Sequence, residues 1–596
     1  MSTKLHGVEV DFARDNILSE QARVLLQKFY CREDESSPQE AYARAAAAYS
    51  YGDSTLAQNI YEAASKGWFM FSSPILSNAP RPGESVKALP ISCFLSYVCD
   101  SIPGLISHTE ELRWLSVKGG GVGGHWGDVR SVSDVAPGPI PFLHTVDADM
   151  TAYRQGRTRK GSYAAYLDVS HPDLQEFMSM RVPTGAVDRK CLNIHHAVNL
   201  TDEFMVAVKE NKEWNFVDPN DGTVRDTVRA REVWAELLEI RARTGEPYFN
   251  FIDTANAHLP ETQRALGLTI KGSNLCNEIH LPTNEERTAV CCLASLNLEK
   301  YDEWKGTPLV RWLTRFLDNV LQFFIDHAPP ELSRAVFSAT RERSLGIGAM
   351  GFHYLLQRSK APFGSQKARD INEEVFAYIK SEAVAESLLM GSERGEAPDM
   401  AGTGRRNAHL LAIAPNANSS IIAVTSPSIE AGRANAFAHR TRAGTHLIQN
   451  PYLKAALDTY GMDTEEIWSS ITTSKGSVQH LNFLSEEEKE VFKTAMEIDQ
   501  HHVVQLAADR QKYLCQGQSL NLFFPSGVSR KYVSSVHYQA WELKCKGLYY
   551  YRTETSNRAE DVSTKIERDR LMNFTDMETA SSGVFEDPED CVSCEG

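Results

Sequence analysis

The sequence predicts an α/β fold, on two observations. After residue 67, short apolar runs alternate with stretches of helical spacing, as strands and helices do when they take turns along a chain. The runs are 68–71, 91–98, 163–169, 197–200, 289–298, 421–424, 520–524 and 548–551. The second observation is bulk: 596 residues, 42% apolar and 23% charged, suffice for a deep core and have the balance of a globular protein. The most apolar stretches, 410–414 and 421–424, fall far short of the roughly 18 residues a membrane span needs. Residues 1–15 contain no apolar signal core. A cytoplasmic protein is therefore expected, with its 11 cysteines mostly free thiols. The 62 Lys+Arg against 78 Asp+Glu give a net charge of −16. That balance argues against a surface for nucleic acid or anionic membrane, since phosphate binding needs clustered cations. A nucleotide pocket needs only a few local donors and stays open.

Residues 1–67 read as helical. Ser37-Pro38-Gln39-Glu40 has the form of a capping box with Pro at the first helical position, and 40–49 is Ala-rich. A second helix runs from about Ser54 to Lys66 and stops at Gly67. Lys118-Gly-Gly-Gly-Val-Gly-Gly-His-Trp-Gly127 holds a formal G-x-G-x-x-G at Gly119, Gly121 and Gly124. A dinucleotide fingerprint needs a strand before it, whereas 109–117 has helical spacing. The segment reads either as a loop where backbone approaches a nucleotide or as a plain flexible loop.

In Ser273-Asn-Leu-Cys-Asn-Glu-Ile279, Asn274, Cys276 and Glu278 alternate, so an extended backbone would point all three the same way. An amide can fix a hydroxyl and a carboxylate can take its proton, so a thiol between them can be a reaction centre. The other reading is the solvated face of a strand. In Ala289-Val-Cys-Cys-Leu-Ala-Ser-Leu-Asn-Leu298, either cysteine could simply fill a core. Ala414-Pro-Asn-Ala-Asn-Ser-Ser420 could present N–H groups and hydroxyls to a phosphate, or could cap a helix. The adjacent tyrosines of Leu548-Tyr-Tyr-Tyr-Arg552 could serve strand packing. His195-His196 and His501-His502 show no ligand spacing and read as structural or surface residues. From about Met577 the chain is rich in Glu, Asp, Ser and Gly and reads as a flexible tail. Cys591-Val-Ser-Cys594 lies in it. No second ligand pair for a metal and no βαβ context accompany it. It is either a mobile dithiol carrying electrons to a buried site or an incidental exposed pair.

Taken in order, Ile91-Ser-Cys-Phe94, Asn274-Leu-Cys-Asn-Glu278, Ala289-Val-Cys291, the Pro415 turn, Tyr549-Tyr550 and the tail cysteine pair resemble the large catalytic subunit of class I ribonucleotide reductase. The match runs from about Trp68 to Gly596. Each motif alone is weak, but the ordered set is specific.

The resemblance implies a ten-stranded α/β barrel with a central finger loop, a short N-terminal helical region and a flexible C-terminal tail. The implied division is 1–67 helical without a complete ATP cone, 68–530 barrel with specificity loops, 531–576 a small region with the tyrosine pair, and 577–596 the redox tail. Cys276 would be the thiyl radical that abstracts the 3′ hydrogen of a ribonucleoside diphosphate. Glu278 would take the 3′-hydroxyl proton, and Asn274 would bond the substrate hydroxyls. Cys93 and Cys291 would be the reducing pair, with Cys292 an extra neighbour. Cys591 and Cys594 would pass electrons from a thioredoxin or glutaredoxin by thiol–disulfide exchange. Tyr549 and Tyr550 would relay the radical from a metal-containing small subunit. No metal site and no covalent cofactor are implied in this chain.

Ser73, Ser92, Asn416, Ala417, Asn418, Ser419 and Ser420 would contact substrate. The turn departs from the family pattern, which often has hydroxyl or carboxylate side chains where this chain has Asn416, Ala417 and Asn418. Asp100, Arg130 and Arg159, the last within Gln155-Gly-Arg-Thr-Arg-Lys-Gly161, would bind dNTP or ATP effectors at a homodimer interface. Tyr549-Tyr550 argues against the cobalamin-dependent class, which needs no tyrosine relay. The glycyl-radical class would need a glycine-radical motif and a Cys cluster that the chain lacks. A non-catalytic nucleotide-binding regulator would be free to lose Cys276, Glu278 or the tail pair, and all are present.

Overall fold

The computed structural model describes residues 3–153, 161–441 and 444–553. The N-terminal region departs from the all-helical reading. A hairpin pairs Thr3–Leu5 with Val8–Val10 before α1 (Glu20–Phe29), α2 (Pro38–Ala48) and α3 (Ser54–Ser65). Val8 and Val10 are buried and Glu9 is exposed, a two-residue alternation too short to stand out in the sequence. Ser37 caps α2 through the Gln39 N–H, with Pro38 at the first position. Glu40 does not complete the box, and accepts from Ser36 Oγ instead. Asp53 caps α3 through the N–H groups of Thr55 and Leu56. Arg44 of α2 is fully buried. It pairs with Glu35 at 2.6 Å and donates to three backbone carbonyls, so its charge is matched and hydrogen-bonded.

The barrel is built from two parallel halves joined antiparallel. After β1 (Phe69–Phe71), the first half is β2 (Cys93–Tyr97), β3 (Gly121–His125), β4 (Ser162–Asp168), β5 (His195–Leu200) and β6 (Tyr248–Phe251), each parallel to the next. The second half starts with β7 (Ala289–Asn297) and its parallel neighbour β8 (Leu345–Met350). Parallel bridges Ile347–Leu411 and Ile413–Gln518 carry the sheet through two short extended segments. The second of these leads into β9 (Leu522–Phe524). The last strand is interrupted, as β10 (Gly547–Leu548) and β11 (Tyr551–Thr553), and β11 runs parallel to β9. β7 is antiparallel to β2, and β10 is antiparallel to β6. These two antiparallel seams close five strands of one half onto five of the other, and β1 adds to the outer part of β7.

Two features explain what the sequence hid. β6 is only four residues long, and β8 reads Leu-Gly-Ile-Gly-Ala-Met, where glycines blur the apolar run. The run 421–424 is not a strand: its first three residues belong to a helix, Ala417–Ala423, in which Ile422 is buried. A four-residue apolar run has no period long enough to separate the two. The division at residue 530 also cuts off the tyrosine pair, whereas 547–553 form the barrel's last strand.

The Gly-rich segment is not a loop. Gly121–His125 is the buried strand β3, between β2 and β4. A satellite core around Leu453, Leu457, Trp468, Ile471 and Phe492 lies apart from the main one. Among the described residues no helix is long and apolar enough to cross a membrane.

Candidate active site inside the barrel

The run from Gly272 to Thr283 is buried throughout, although it is neither helix nor strand. A buried loop must satisfy its own polar groups, and this one is pinned along its length. Its base is an Ile270–Pro282 bridge. Ser273 Oγ donates to the Ile279 carbonyl (2.7 Å), and Tyr166 OH donates to the Asn274 carbonyl (2.7 Å). Asn277 Nδ2 donates to the Phe249 carbonyl (3.2 Å). The barrel wall makes room with glycine. A Cβ on Gly123 would lie 1.8 Å from the Ser273 carbonyl oxygen. That close approach is why β3 is glycine-rich, and no nucleotide is needed to explain it.

The tip is a turn, which corrects the extended reading of Asn274, Cys276 and Glu278. Asn277 takes a left-handed conformation (φ 61°), and its N–H bonds back to the Asn274 carbonyl. Asn274 Oδ1 accepts from the N–H groups of Glu278 (3.0 Å) and Ile279 (3.1 Å). Its oxygen therefore shapes the loop, and Nδ2 is the end that can donate to a hydroxyl. Ser519 Oγ lies 2.6 Å from the Cys276 carbonyl and 3.1 Å from Glu278 Oε2. Cys276 and Glu278 are both fully buried.

Cys93 of β2 and Cys291 of β7 are register partners across the first seam. Directly opposed residues of an antiparallel pair have Cβ atoms roughly 4.5–5.5 Å apart, which is within reach of a disulfide after a small adjustment. Neither is in a disulfide, and both lie in the interior apolar cluster with Cys276, Tyr248, Tyr549 and Tyr550. Cys292 belongs to the core outside the barrel wall. A small cavity beside the pair is lined by Ser72, Ser92, Cys93 and Cys291 among others. Burial pushes the Cys291 thiol well above its usual range, and Gln516 Nε2, 3.6 Å from Sγ, opposes this. A thiol held protonated can act as a proton donor.

The second seam carries the tyrosines. Tyr549 and Tyr550 sit between β10 and β11, with ring centroids 4.2 Å apart. Tyr248 of β6 joins them, at 4.7 Å from Tyr549 and 5.1 Å from Tyr550. The guanidinium of Arg552 lies 4.2 Å over the Tyr550 ring. His195, read from sequence as structural or surface, is in reach of Tyr550 OH, with Nδ1 at 3.3 Å. Sequence reading also missed Ser519, Gln516 and Tyr248. Each is a lone polar residue or tyrosine brought in from a distant strand, and no spacing signals it.

Around the Pro415 turn, Asn416 (φ 58°) precedes the helix Ala417–Ala423. Its side chain is committed: Nδ2 donates to the carbonyls of Ala349 and Ala414, and Oδ1 accepts from Ser295. Any contribution from Asn416 to a ligand is therefore through backbone. Ser419 and Ser420 are buried on the same helix as Ala417 and Asn418, and Ser420 Oγ donates to the Ala417 carbonyl. Ser73 is buried and its Oγ shares a hydrogen bond with Tyr30 OH (2.9 Å). Asp100 and Arg130 come together outside the barrel as an ion pair, Arg130 Nε to Asp100 Oδ2 at 2.9 Å. Arg159, Cys591 and Cys594 lie outside the described residues.

The chain matches the family model described as ribonucleotide reductase, barrel domain, over residues 91–403 and 398–551. Residues 17–84 match the model described as ribonucleotide reductase, all-alpha domain. It is 55% identical to the putative ribonucleoside-diphosphate reductase large subunit of frog virus 3 (isolate Goorha), over 90% of this chain and 94% of the relative. It is 41% identical to the ribonucleoside-diphosphate reductase large subunit of invertebrate iridescent virus 3, over 99% of this chain and 100% of that one. Among solved structures, it is similar to the class Id ribonucleotide reductase alpha subunit of Actinobacillus ureae, with a TM-score of 0.81 and 34% identity, over 92% of this chain and 99% of the other.

Proposed function

This chain belongs to the class I ribonucleotide reductase large-subunit family, and from that premise we propose how its residues divide the chemistry. The activity is reduction of ribonucleoside diphosphates to deoxyribonucleoside diphosphates for DNA synthesis. A large subunit of this kind implies a small-subunit partner, and in our reading that partner contains the metal and supplies the radical.

Cys276 carries the thiyl radical and takes the 3′ hydrogen of the substrate. Glu278 accepts the 3′-hydroxyl proton while Asn274 Nδ2 orients the hydroxyls. The 2′-hydroxyl leaves as water with a proton from the Cys93–Cys291 pair, which supplies two electrons and ends as a disulfide. Cys276 then returns the hydrogen to C3′. A radical needs a dry enclosure, and the buried loop inside the barrel supplies one. Ser519 fits a supporting role, bonding both the Cys276 carbonyl and Glu278. Ser73, Ser92 and the 416–420 turn are the substrate contacts, with the diphosphate held by backbone N–H groups of the turn. Tyr549 and Tyr550 pass the radical inward. The tail pair Cys591 and Cys594 reduces the disulfide, with a thioredoxin or glutaredoxin behind it in a reducing compartment, the cytoplasm.

The Asp100–Arg130 pair, with Arg159, forms the effector site. It stands at the start of α4 (Ile102–Val117), whose Ile102, Ile106, Trp114 and Val117 are exposed. This apolar stripe beside an ion pair fits a second copy of the chain as its cover, in a homodimer.

The observation that carries the reading is the register pairing of Cys93 with Cys291 around a loop that bears Cys276 and Glu278. With the small subunit and a small dithiol, Cys276→Ser should bind substrate normally and give no product. Turnover by that variant would overturn the assignment.

A further inference from the structure

We propose that Cys515 and Lys380 form a reversible oxidation site, in which hydrogen peroxide oxidises the Cys515 sulfur and the Lys380 amine captures it as a sulfenamide. The site takes no part in the reduction proposed above and does not rest on it.

Two distant segments build the site. Lys380 stands in the helix Gln366–Arg394, and Cys515 lies between the helix Gln500–Gln511 and β9. Lys380 Nζ is 2.7 Å from Cys515 Sγ. Sulfur is larger than oxygen, and even an N–H···O bond usually spans about 2.9–3.0 Å. The two atoms are thus inside the roughly 3–3.5 Å at which reacting atoms are held for bond formation. Burial alone would raise the Cys515 thiol, but Lys380, Arg405 and the Leu411 N–H outweigh it and bring it down to about 6. At neutral pH the sulfur is therefore a thiolate, the form that attacks peroxide. Cys515, Lys380 and Arg405 are each half-buried, open enough for a small oxidant. The Cys515 backbone is held from the other side. Lys546, 1% exposed, donates from Nζ to the carbonyls of Cys515 (2.5 Å) and Gln516 (3.0 Å), and the Gln516 N–H donates to the Leu411 carbonyl (3.1 Å).

The nucleophile that touches the sulfur is an amine and not a second thiol, and this decides the product. The thiolate attacks one peroxide oxygen. An S–O bond forms, the O–O bond breaks and hydroxide leaves. Lys380 gives that hydroxide a proton, which makes water and a free amine. The amine then attacks the sulfenic sulfur: an S–N bond forms, the S–O bond breaks, and the hydroxyl leaves with an amine proton as a second water. Sulfur loses two electrons and peroxide gains them. A dithiol reverses the step. Its first thiol attacks the sulfur, the S–N bond breaks, nitrogen takes the thiol's proton, and the second thiol releases Cys515. Without a capturing nucleophile, a sulfenic acid goes on to sulfinic acid, which thiols do not restore. Lys380 thus keeps an ionised cysteine short of permanent damage. An ion pair that served stability alone would need only the charge, and arginine would supply that equally.

The test uses the full chain, reduced, treated with a few equivalents of hydrogen peroxide, digested without reductant and mapped by mass spectrometry. The expected product joins the Cys515 and Lys380 peptides at their summed mass less two hydrogens, and a dithiol should return both. Lys380→Arg keeps the cation and loses the nucleophile. It should give no cross-link, and the Cys515 recoverable by dithiol should fall at least about fivefold as sulfinic acid accumulates. The parent map reads the bond whether or not Lys380→Arg folds. Cys515 recovered from the parent unoxidised, as sulfinic acid or in a disulfide would overturn the proposal. So would a link heavier by one oxygen, which would bridge the two atoms instead of joining them, or equal recovery of Cys515 from Lys380→Arg.

Discussion

Cys291 lies in direct register with Cys93, while Cys292, its chain neighbour, faces the core outside the barrel. Successive residues of a strand point to opposite faces, so only one of two adjacent cysteines can share the interior with Cys93. Cys93→Ser or Cys291→Ser should therefore abolish repeated turnover. Cys292→Ala should keep activity within about threefold and cost about 1–2 kcal/mol for the small cavity left in a packed core. After one turnover without reductant, peptide mapping should recover a Cys93–Cys291 disulfide. A disulfide containing Cys292 would contradict the register argument.

The tail cysteines should separate from the barrel cysteines by reductant. Cys591→Ser with Cys594→Ser should lose turnover driven by a thioredoxin-type protein, which is too large to enter a closed barrel. A small dithiol should still reduce the Cys93–Cys291 disulfide directly. Equal loss with both reductants would remove the shuttle role.

Gly123 tests whether the barrel wall sets the height of the finger loop. A methyl group there would sit 1.8 Å from the Ser273 carbonyl and 2.9 Å from Asn274 Cα, both backbone atoms that cannot swing aside. Gly123→Ala should displace the loop and its Cys276 by a sizeable fraction of an ångström. A shift near 1 Å costs on the order of 10²-fold in kcat. Effector binding at the site proposed around Asp100 and Arg130, outside the barrel, should persist. Normal kcat in Gly123→Ala would show that the loop tolerates the shift.

The α/β class and the chemical motifs were legible because they are local. Asn274-Leu-Cys-Asn-Glu278 and Ala289-Val-Cys-Cys292 are contiguous, and β7 shows its apolar run openly. What was not legible is long-range. Nothing in the sequence places Cys93 opposite Cys291, 198 positions on, or Ser519 against Glu278. The glycines of β3 read as a loop because their cause, a second segment pressed against the strand, lies some 150 residues away. His195 reads as structural or surface for the same reason: its partners, Glu246 and Tyr550, lie 51 and 355 positions away in the chain. The turn at Asn277 was hidden because asparagine tolerates both an extended and a left-handed backbone.

Asp318 predicts the acid side of the stability curve. It lies on α5 (Leu309–His327), 1% exposed, and meets Arg343 Nε at 2.9 Å, Arg394 Nη1 at 3.0 Å and Asn407 Nδ2 at 3.1 Å. Burial would raise its pKa, but Arg343, Arg406 and Arg394 outweigh burial and hold it below the ordinary 3.8. A carboxyl depressed in the fold contributes stability that is complete above its unfolded pKa and lost as pH falls through the folded one. Asp318→Asn leaves buried Arg343 and half-buried Arg406, with the exposed Arg394, without their carboxylate, and should cost about 3–5 kcal/mol at neutral pH. The variant's stability should also fall less steeply below pH 4 than the parent's. Parallel acid limbs in urea titrations would show that Asp318 is not the group responsible.

Cys515 should be the most reactive described thiol at neutral pH, although it takes no part in the proposed reduction. Lys380 Nζ lies 2.7 Å from its sulfur. Burial alone would raise this thiol, but Lys380 and Arg405 bring it down to about 6. Cys291 and Cys292, buried without such a cation, are pushed the other way. The thiolate is the nucleophile, so alkylation rate follows ionisation. The alkylation of Cys515 by iodoacetamide should show a midpoint near pH 6, and Lys380→Met should move it up by at least about one unit as the nearest cation is lost. The site adjoins the proposed active site, since Gln516, the next residue, contacts Cys291 and donates to the Leu345 carbonyl at 2.8 Å. Alkylation at Cys515 should therefore lower turnover without consuming Cys276, Cys93 or Cys291. Mass spectrometry of the alkylated peptides, quantified against pH, gives both readings, and a midpoint above pH 8 for Cys515 in the parent would defeat the Lys380 argument.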